Sequence, residues 1–359
     1  MVDGGRLNFI IGAAIDYLMK YRQLADTGVF VSELCLGAMT FGGQGQIWQV
    51  IGGIDQQAVD GIVHHALDAG INFIDTANVY SAGESETMVG RALAGRRQDV
   101  VLATKVRGRM GQGPNQVGLS RLHIIEAVEA SLTRLGTGYI DLYQIHRFDP
   151  LTALDDTLRA LDDLVRAGKV RYIGCSNLPA WYLMKALALS REQRLERFKC
   201  TQSYYSLAGR ELEREMIPLL VDQGLGLLVW SPLAGGFLSG KFTRDGGDEA
   251  ARRAKFDFPP VNKEKAFAIL DVLADVARKH SGSSVAQIAL AWILANDAVT
   301  SVIIGARKRS QLDDNLKAID VVLTAEDKGA LDEVSKLPLE YPAWMEALGT
   351  DRRPGERRY

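Results

Sequence analysis

The sequence predicts an α/β protein, a single (β/α)8 or TIM barrel with an N-terminal β-hairpin and a C-terminal helix and loop. Three observations predict it. Eight short runs rich in Val, Ile, Leu and Tyr recur along the chain, each followed by a longer stretch with helical apolar spacing. The runs are nearly continuous in apolar residues, as parallel strands are when helices cover one face and layers of side chains the other. The GxGxxG fingerprint of an open, doubly wound sheet is missing, because FGGQGQ after the first run has the wrong spacing and opens no helix. A length of 359 residues suits one barrel with loop insertions.

In chain order, residues 1 to 18 form an extension whose apolar patch from Phe9 to Ile15 is cut short by Asp16, and a natural beginning lies at Met19. The barrel is expected over 19 to 337. YRQLADTGVFVSELCLG reads as a hairpin turning near Asp26 to Gly28, placed to plug the barrel bottom. The strands are ELCLGAM (33 to 39), NFIDTA (72 to 77), VVLATKV (100 to 106), IDLYQIH (140 to 146), VRYIGCS (170 to 176), KCTQSYY (199 to 205), GLLVWSP (226 to 232) and SVIIGA (301 to 306). Between them GIDQQAVDGIVHHALDAG, LDDTLRALDDLVRAGKV and GRELEREMIPLLVDQG space their apolar residues three or four apart, and a Gly often follows the last turn. The stretch from Thr243 to Val261, with Arg252, Arg253 and two prolines, is long for a connection and is expected to act as a lid. Residues 338 to 359 make a C-terminal loop and a solvated tail, DRRPGERRY.

Composition narrows the function classes. Forty-two Lys and Arg against forty-four Asp and Glu leave a net charge of −2, so no global field favours nucleic acid or an anionic membrane. With 47% hydrophobic and 24% charged residues, extensive disorder and a fibrous chain are excluded. No run of eighteen apolar residues exists to span a bilayer, and a soluble, cytoplasmic protein is expected. Cys35, Cys175 and Cys200 are odd in number, widely spaced and without a CxxC pair, which fits a reducing compartment and no metal site.

Polar residues at the carboxyl ends of barrel strands converge on one mouth. Asp75 ends the second run, Tyr80 follows in its loop, Lys105 ends the third and His146 ends the fourth. Any one of them is an ordinary loop or surface group; at matched strand ends they form a pocket. A carboxylate, a phenol, an ammonium and an imidazole together suit proton donation to a carbonyl oxygen. Lys105 is the cation expected to favour the phenolate of Tyr80, Asp75 to hold that lysine charged, and His146 to donate a hydrogen bond to the same oxygen. No metal cluster, nucleophile elbow or Schiff-base pocket is apparent, so the electron pair is expected from a hydride donor.

GAMTFGG, GINFIDTANVYSAGESETMVGRAL, LATKV, YQIHRFDP, GKVRYIGCSN, LLVWSPLAGGFLSGK and SVIIGARKRSQLDDNL, in that order, resemble the aldo-keto reductase superfamily, particularly bacterial members related to potassium-channel β subunits. The likeness runs from about Met19 to Leu337. It implies a (β/α)8 barrel that uses NADPH to interconvert carbonyls and alcohols, with its catalytic residues on Asp75, Tyr80, Lys105 and His146. It further implies that Ser176, Asn177 and Gln202 hold the nicotinamide carboxamide and that Trp230 stacks on the ring. Ser231, Pro232, Leu233 and Gly235 then begin the pyrophosphate path, Lys241 neutralises phosphate, and Gly305, Arg307, Gln311, Asp314 and Asn315 meet the adenosine end. Thr40 and Asp75 complete the cofactor set.

GGFLSGKF also imitates a phosphate-binding P-loop, but Phe242 stands where Ser or Thr would ligate magnesium. Arg307, Lys308 and Arg309 beside a helix start suit a 2′-phosphate, favouring NADP over NAD. Phe41, Trp48, Phe148 and Trp344, with Tyr80 and His146, are expected to line a substrate mouth for a bulky or aromatic carbonyl compound. The alternative is an NADPH-binding regulatory subunit with little turnover. His146 in YQIHRFDP favours the enzyme, since relatives specialised for regulation can carry Asn there. A sugar-processing barrel with paired carboxylates lacks acids at suitable strand ends beyond Asp75.

Overall fold

The structure, a computed structural model, describes residues 19 to 244, 246 to 247, 252 to 280 and 282 to 348. The N-terminal extension, the DRRPGERRY tail and the centre of the 243 to 261 stretch lie outside the described residues. Eight parallel strands close into a barrel: β1 (Leu34–Gly37), β2 (Phe73–Asp75), β3 (Val101–Val106), β4 (Ile140–Ile145), β5 (Val170–Ser176), β6 (Cys200–Tyr204), β7 (Gly226–Trp230) and β8 (Val299–Gly305). β8 pairs with both β1 and β7, so the ring has no edge. Every apolar run becomes a strand.

Among the helices around it are α1 (Gln56–Asp68), α2 (Glu84–Ala92), α3 (Arg121–Leu135), α4 (Leu154–Arg166), α5 (Ala180–Gln193), α6 (Met216–Gln223), α7 (Lys263–Lys279), α8 (Val285–Leu294), α9 (Arg309–Leu316) and α10 (Ala325–Ser335). Asp55 caps α1 by accepting from the Ala58 N–H at 2.9 Å, and Ser284 and Gln287 close a capping box on α8. The stretch 209 to 224 is not one helix. It breaks into a 3-10 turn, Glu211–Glu213, and α6, because the ring of Pro218 fits a first helical turn but would clash with the Arg214 carbonyl of a longer one.

Strand alternation sorts the barrel interior into layers. Cys35, Phe73, Ala103, Leu142, Cys200 and Leu228 fill the lower part and are fully buried. The hairpin of strands Tyr21–Gln23 and Phe30–Ser32 adds Val31, and Leu24 just past its first strand, to the same cluster, so the plug closes the bottom as its sequence suggests. Burying a leucine of this kind contributes about 1.5 to 3 kcal/mol. Arg22 fastens the hairpin, with Nε on Glu33 Oε1 at 2.7 Å and Nη2 on the Leu294 carbonyl at 2.6 Å. All three cysteines are free and buried, and burial pushes the Cys175 thiol up to about 12, so they serve as small packing groups. Among the described residues no helix is long and apolar enough to cross a membrane, and no cluster of His, Cys, Asp and Glu is arranged to hold a metal ion.

Candidate active site at the carboxyl ends of the strands

Two residues further along four of those strands, the inward positions become polar: Asp75 on β2, Lys105 on β3, Gln144 on β4 and Gln202 on β6, all buried. Lys105 Nζ donates to Asp75 Oδ2 at 2.5 Å, to the Thr76 carbonyl at 2.9 Å and to the Tyr80 hydroxyl at 3.3 Å. The other carboxylate oxygen, Asp75 Oδ1, accepts from Gln202 Nε2 at 2.8 Å and Gln144 Nε2 at 3.0 Å. A buried ion pair is tolerable only when its remaining lone pairs and protons are satisfied, and here they are. Gly174 makes room for the amide, since a Cβ there would stand 3.2 Å from Gln144 Cγ and 2.9 Å from Cys200 Sγ.

Tyr80 reaches this pair from a tight turn. Ser81 and Ala82 hold left-handed φ values of 49° and 55°, a conformation costing non-glycine residues on the order of 1 to 3 kcal/mol each. Hydrogen bonds retain the turn: Ser81 Oγ donates to the Phe41 carbonyl at 3.0 Å, and Ser85 Oγ to the Ala38 carbonyl at 2.7 Å. Below it lies a second buried carboxylate. Glu86 on α2 accepts from Thr104 Oγ1 at 2.5 Å, next to Lys105 on β3, and from Arg134 Nε of α3 at 2.7 Å. A charged residue on the apolar face of α2, spaced three before Val89, is the sequence signal that would have found this clamp.

His146 sits beside Tyr80, with ring centroids 5.9 Å apart and an edge-on angle of 79°. Its backbone N–H donates to the Val106 carbonyl at 2.9 Å, which sets it level with the end of β3. Burial, then Lys105, Arg147 and Arg107, push its imidazole well below the ordinary value, so it is neutral near pH 7. Burial would push the Lys105 ammonium down, but Asp75 and Tyr80 outweigh it and the net shift is upward. For Tyr80 the net shift is also upward: burial outweighs Lys105, and Asp75 adds to it. Lys105 favours the phenolate by its charge and its hydrogen bond, as expected, and burial sets the net direction. The enclosed phenol keeps its proton, and it is available as an acid.

The residues expected to meet a cofactor lie along the β5 to β8 side of the mouth. Ser176 Oγ donates to the Gln202 carbonyl at 2.8 Å, and Asn177 Nδ2 to Ser176 Oγ at 2.8 Å and the His146 carbonyl at 3.2 Å. Trp230 Nε1 donates to Asn177 Oδ1 at 3.0 Å, and its ring packs near Tyr204 and lies parallel to Phe258, 5.8 Å away at 9°. Ser231, Pro232 and Leu233 continue into a turn in which Ser231, Ala234, Gly235 and Gly236 all have positive φ, and Ser231 Oγ accepts from the Gly235 N–H at 2.8 Å. Buried Arg253 grips this turn through the Ala234 carbonyl and bonds the Pro259 carbonyl at 2.7 Å, tying down part of the 243 to 261 stretch. Lys241 is exposed.

After β8, Gly305 is exposed and a Cβ there would meet nothing within 4 Å. Thr40 Oγ1 donates to the Ala306 carbonyl at 3.1 Å, and the Arg307 N–H to Gln311 Oε1 at 2.9 Å. Lys308 and Arg309 are exposed at the start of α9. Asn315 is buried, and the Asp314 carboxylate already accepts from Ser284 Oγ at 3.1 Å and Gln287 Nε2 at 2.7 Å. Exposed cations, an open glycine and a half-buried indole fit a nucleotide with anionic phosphates and a flat ring. Of the aromatics expected at the mouth, Trp48 lies against Tyr80 with centroids 5.5 Å apart. Phe41 is fully buried and offers the mouth no surface. Phe148 packs edge-on against Tyr182 of α5 at 4.5 Å, and Trp344 stands beside Tyr341.

Fold and site define a closed (β/α)8 barrel with a cluster of titratable groups at the carboxyl ends of its strands. The match to known proteins makes the class specific: the Aldo/keto reductase family model covers residues 33–336, and the chain belongs to that family. It is 40% identical over 328 residues to "Uncharacterized oxidoreductase YrpG" of Bacillus subtilis (strain 168), covering 88% of this chain and 96% of that protein. Similarity extends to the versiconal hemiacetal acetate reductase of Aspergillus parasiticus, 36% over 344 residues with 88% and 96% covered. A probable voltage-gated potassium channel subunit beta of Oryza sativa subsp. japonica is 36% identical over 318 residues, with 85% and 92% covered. The chain is an oxidoreductase of the aldo/keto reductase type.

Proposed function

We propose that this protein is an NADPH-dependent reductase of aldehydes or ketones, with Tyr80 as proton donor. The observation that carries the reading is the buried Asp75, Lys105 and Tyr80 chain, with Nζ 2.5 Å from the carboxylate and 3.3 Å from the phenol, beside a neutral His146. When bound, NADPH supplies the hydride that reduces the carbonyl carbon. Ser176, Asn177, Gln202 and Trp230 would orient its nicotinamide end, and Lys241, Arg307 and Lys308 would meet its phosphates.

Charge develops on the carbonyl oxygen as the carbon is reduced. The Tyr80 hydroxyl transfers its proton to that oxygen, and His146 donates a hydrogen bond to it from a ring N–H. Lys105 stabilises the tyrosinate left behind, while Asp75, held by Gln144 and Gln202, keeps the ammonium charged and aimed. The buried apolar layer beneath lowers the local dielectric and strengthens these interactions. The reverse path, alcohol to carbonyl, uses the same groups.

The test is loss of reduced-cofactor absorbance with NADPH or NADH and a panel of aldehydes, ketones and quinones. Turnover with a preference for NADPH is expected. Tight NADPH binding with no turnover on any carbonyl would instead support the regulatory reading suggested by the channel-subunit relatives.

A further inference from the structure

One cation at the mouth is not used by the proton-donating cluster. Arg107 follows Lys105 by two residues at the end of β3, and the bond from the His146 N–H to the Val106 carbonyl brings it level with His146 on the neighbouring strand. Its backbone holds φ at 120°, far from the usual range of an arginine. Two contacts fix that conformation. The Arg107 carbonyl accepts from the Gly118 N–H at 3.0 Å, and Gly108 is pressed against Val79, where a Cβ would stand 2.6 Å from Val79 Cβ. Val79 precedes Tyr80, so the Arg107 corner and the Tyr80 turn are packed as one unit.

The guanidinium is half-buried, and its Nε is buried without a hydrogen-bond partner among the described residues. A satisfied structural arginine would not leave that donor unmatched. Asp149 is close enough to feel the charge of Arg107 but forms no ion pair with it, and its oxygens already accept from the Leu119 N–H at 2.7 Å, Thr152 Oγ1 at 2.8 Å and the Leu151 N–H at 3.1 Å. Arg109 is spent on the Gly111 and Gly113 carbonyls, and Arg147 is exposed. Arg107 therefore presents an unfilled fork beside the carbonyl-binding pair, in an orientation the chain maintains at conformational cost.

We propose that Arg107 determines substrate specificity, and that the carbonyl substrate carries a carboxylate which the guanidinium holds while the carbonyl oxygen faces Tyr80 and His146. The proposal rests on the reductase reading above. A planar fork suits a carboxylate through paired N–H donors, which fixes orientation as well as affinity. The carboxylate takes no part in the redox step: hydride and proton add across the C=O bond alone.

The experiment compares 4-carboxybenzaldehyde with its uncharged methyl ester, using the full chain and NADPH, in the wild type, Arg107→Gln and Arg107→Lys. In the wild type kcat/KM should be higher for the acid. Arg107→Gln should lower the acid-to-ester ratio by about 10- to 100-fold, mainly through KM, as expected for a lost charge-assisted bond. Arg107→Lys should restore part of it. A wild-type ratio at or below one, or a ratio unchanged in Arg107→Gln, overturns the proposal. Should Arg107→Gln not fold, the wild-type ratio is read against salt: it should fall as ionic strength rises, and a salt-independent ratio overturns the proposal. Absence of turnover with both aldehydes counts against the reductase reading instead. Calorimetric binding of 4-(hydroxymethyl)benzoate and its methyl ester then decides the role of Arg107, and equal affinities overturn it.

Discussion

Phe73, Ala103, Leu142 and Cys200 floor the barrel; two residues along the same four strands stand Asp75, Lys105, Gln144 and Gln202. Backbone geometry, parallel neighbours and outer helices are shared between the two storeys. Only the inward side chains differ. The lower layer is sealed by Leu24 and Val31 of the hairpin and has no polar side chain to satisfy, whereas every polar atom of the upper ion pair is matched by a named partner. The contrast teaches that a few polar residues above a conventional core suffice to bury a charge pair, with the apolar floor serving as its low-dielectric base.

The comparison can be broken most sharply at its upper edge. Tyr80→Phe removes the acid without touching the floor, and carbonyl reduction should fall by about 10² to 10⁴ in kcat, with the thermal midpoint little changed. A variant that retains wild-type kcat would remove Tyr80 as the donor. Lys105→Met leaves Asp75 buried without its cation, and chemical denaturation should show a loss of about 3 to 5 kcal/mol. Adding Asp75→Asn to it should recover much of that stability and none of the activity; recovery of both would mean the pair is structural.

Leu24→Ala tests the lower layer. It should cost about 2 to 5 kcal/mol by the same denaturation measurement while kcat/KM of the folded fraction stays near the wild-type value. The smallest effect concerns pH. Because burial and the neighbouring cations push His146 down, its neutral form is lost only as pH falls below the ordinary imidazole value of about 6.5. Because burial pushes Tyr80 up, its proton is lost only as pH rises beyond the ordinary phenol value of about 10. Between those limits kcat for reduction should be flat, and a falling limb near pH 8 would contradict the assignment of Tyr80 as a raised acid.

The lower layer was legible because a buried parallel strand advertises itself as an unbroken apolar run, and the upper one because Asp75, Lys105 and His146 interrupt such runs at their ends. Long-range partners were not. Gln144 sits mid-run and meets Asp75 across 69 positions of sequence. Periodicity places it on the inward face without saying what it binds. Phe41 looked like a mouth residue because aromatics near a site resemble one another in sequence whether they face solvent or core. The break before α6 follows from Pro218, a residue present in the predicted helix but outweighed there by its leucines. The upward shift of Tyr80 depends on how completely the phenol is enclosed, a property of the folded packing alone.

The hairpin has a practical consequence. Tyr21 bonds the Gly70 carbonyl at 2.8 Å at the foot of α1, and a Cβ on Gly70 would touch Met19, so Met19 lies at the pole opposite the mouth that holds Asp75, Lys105 and Tyr80. In a chain shortened to begin at Met19, a tether on that residue would hold the molecule by its base and leave the opposite mouth facing the bulk liquid.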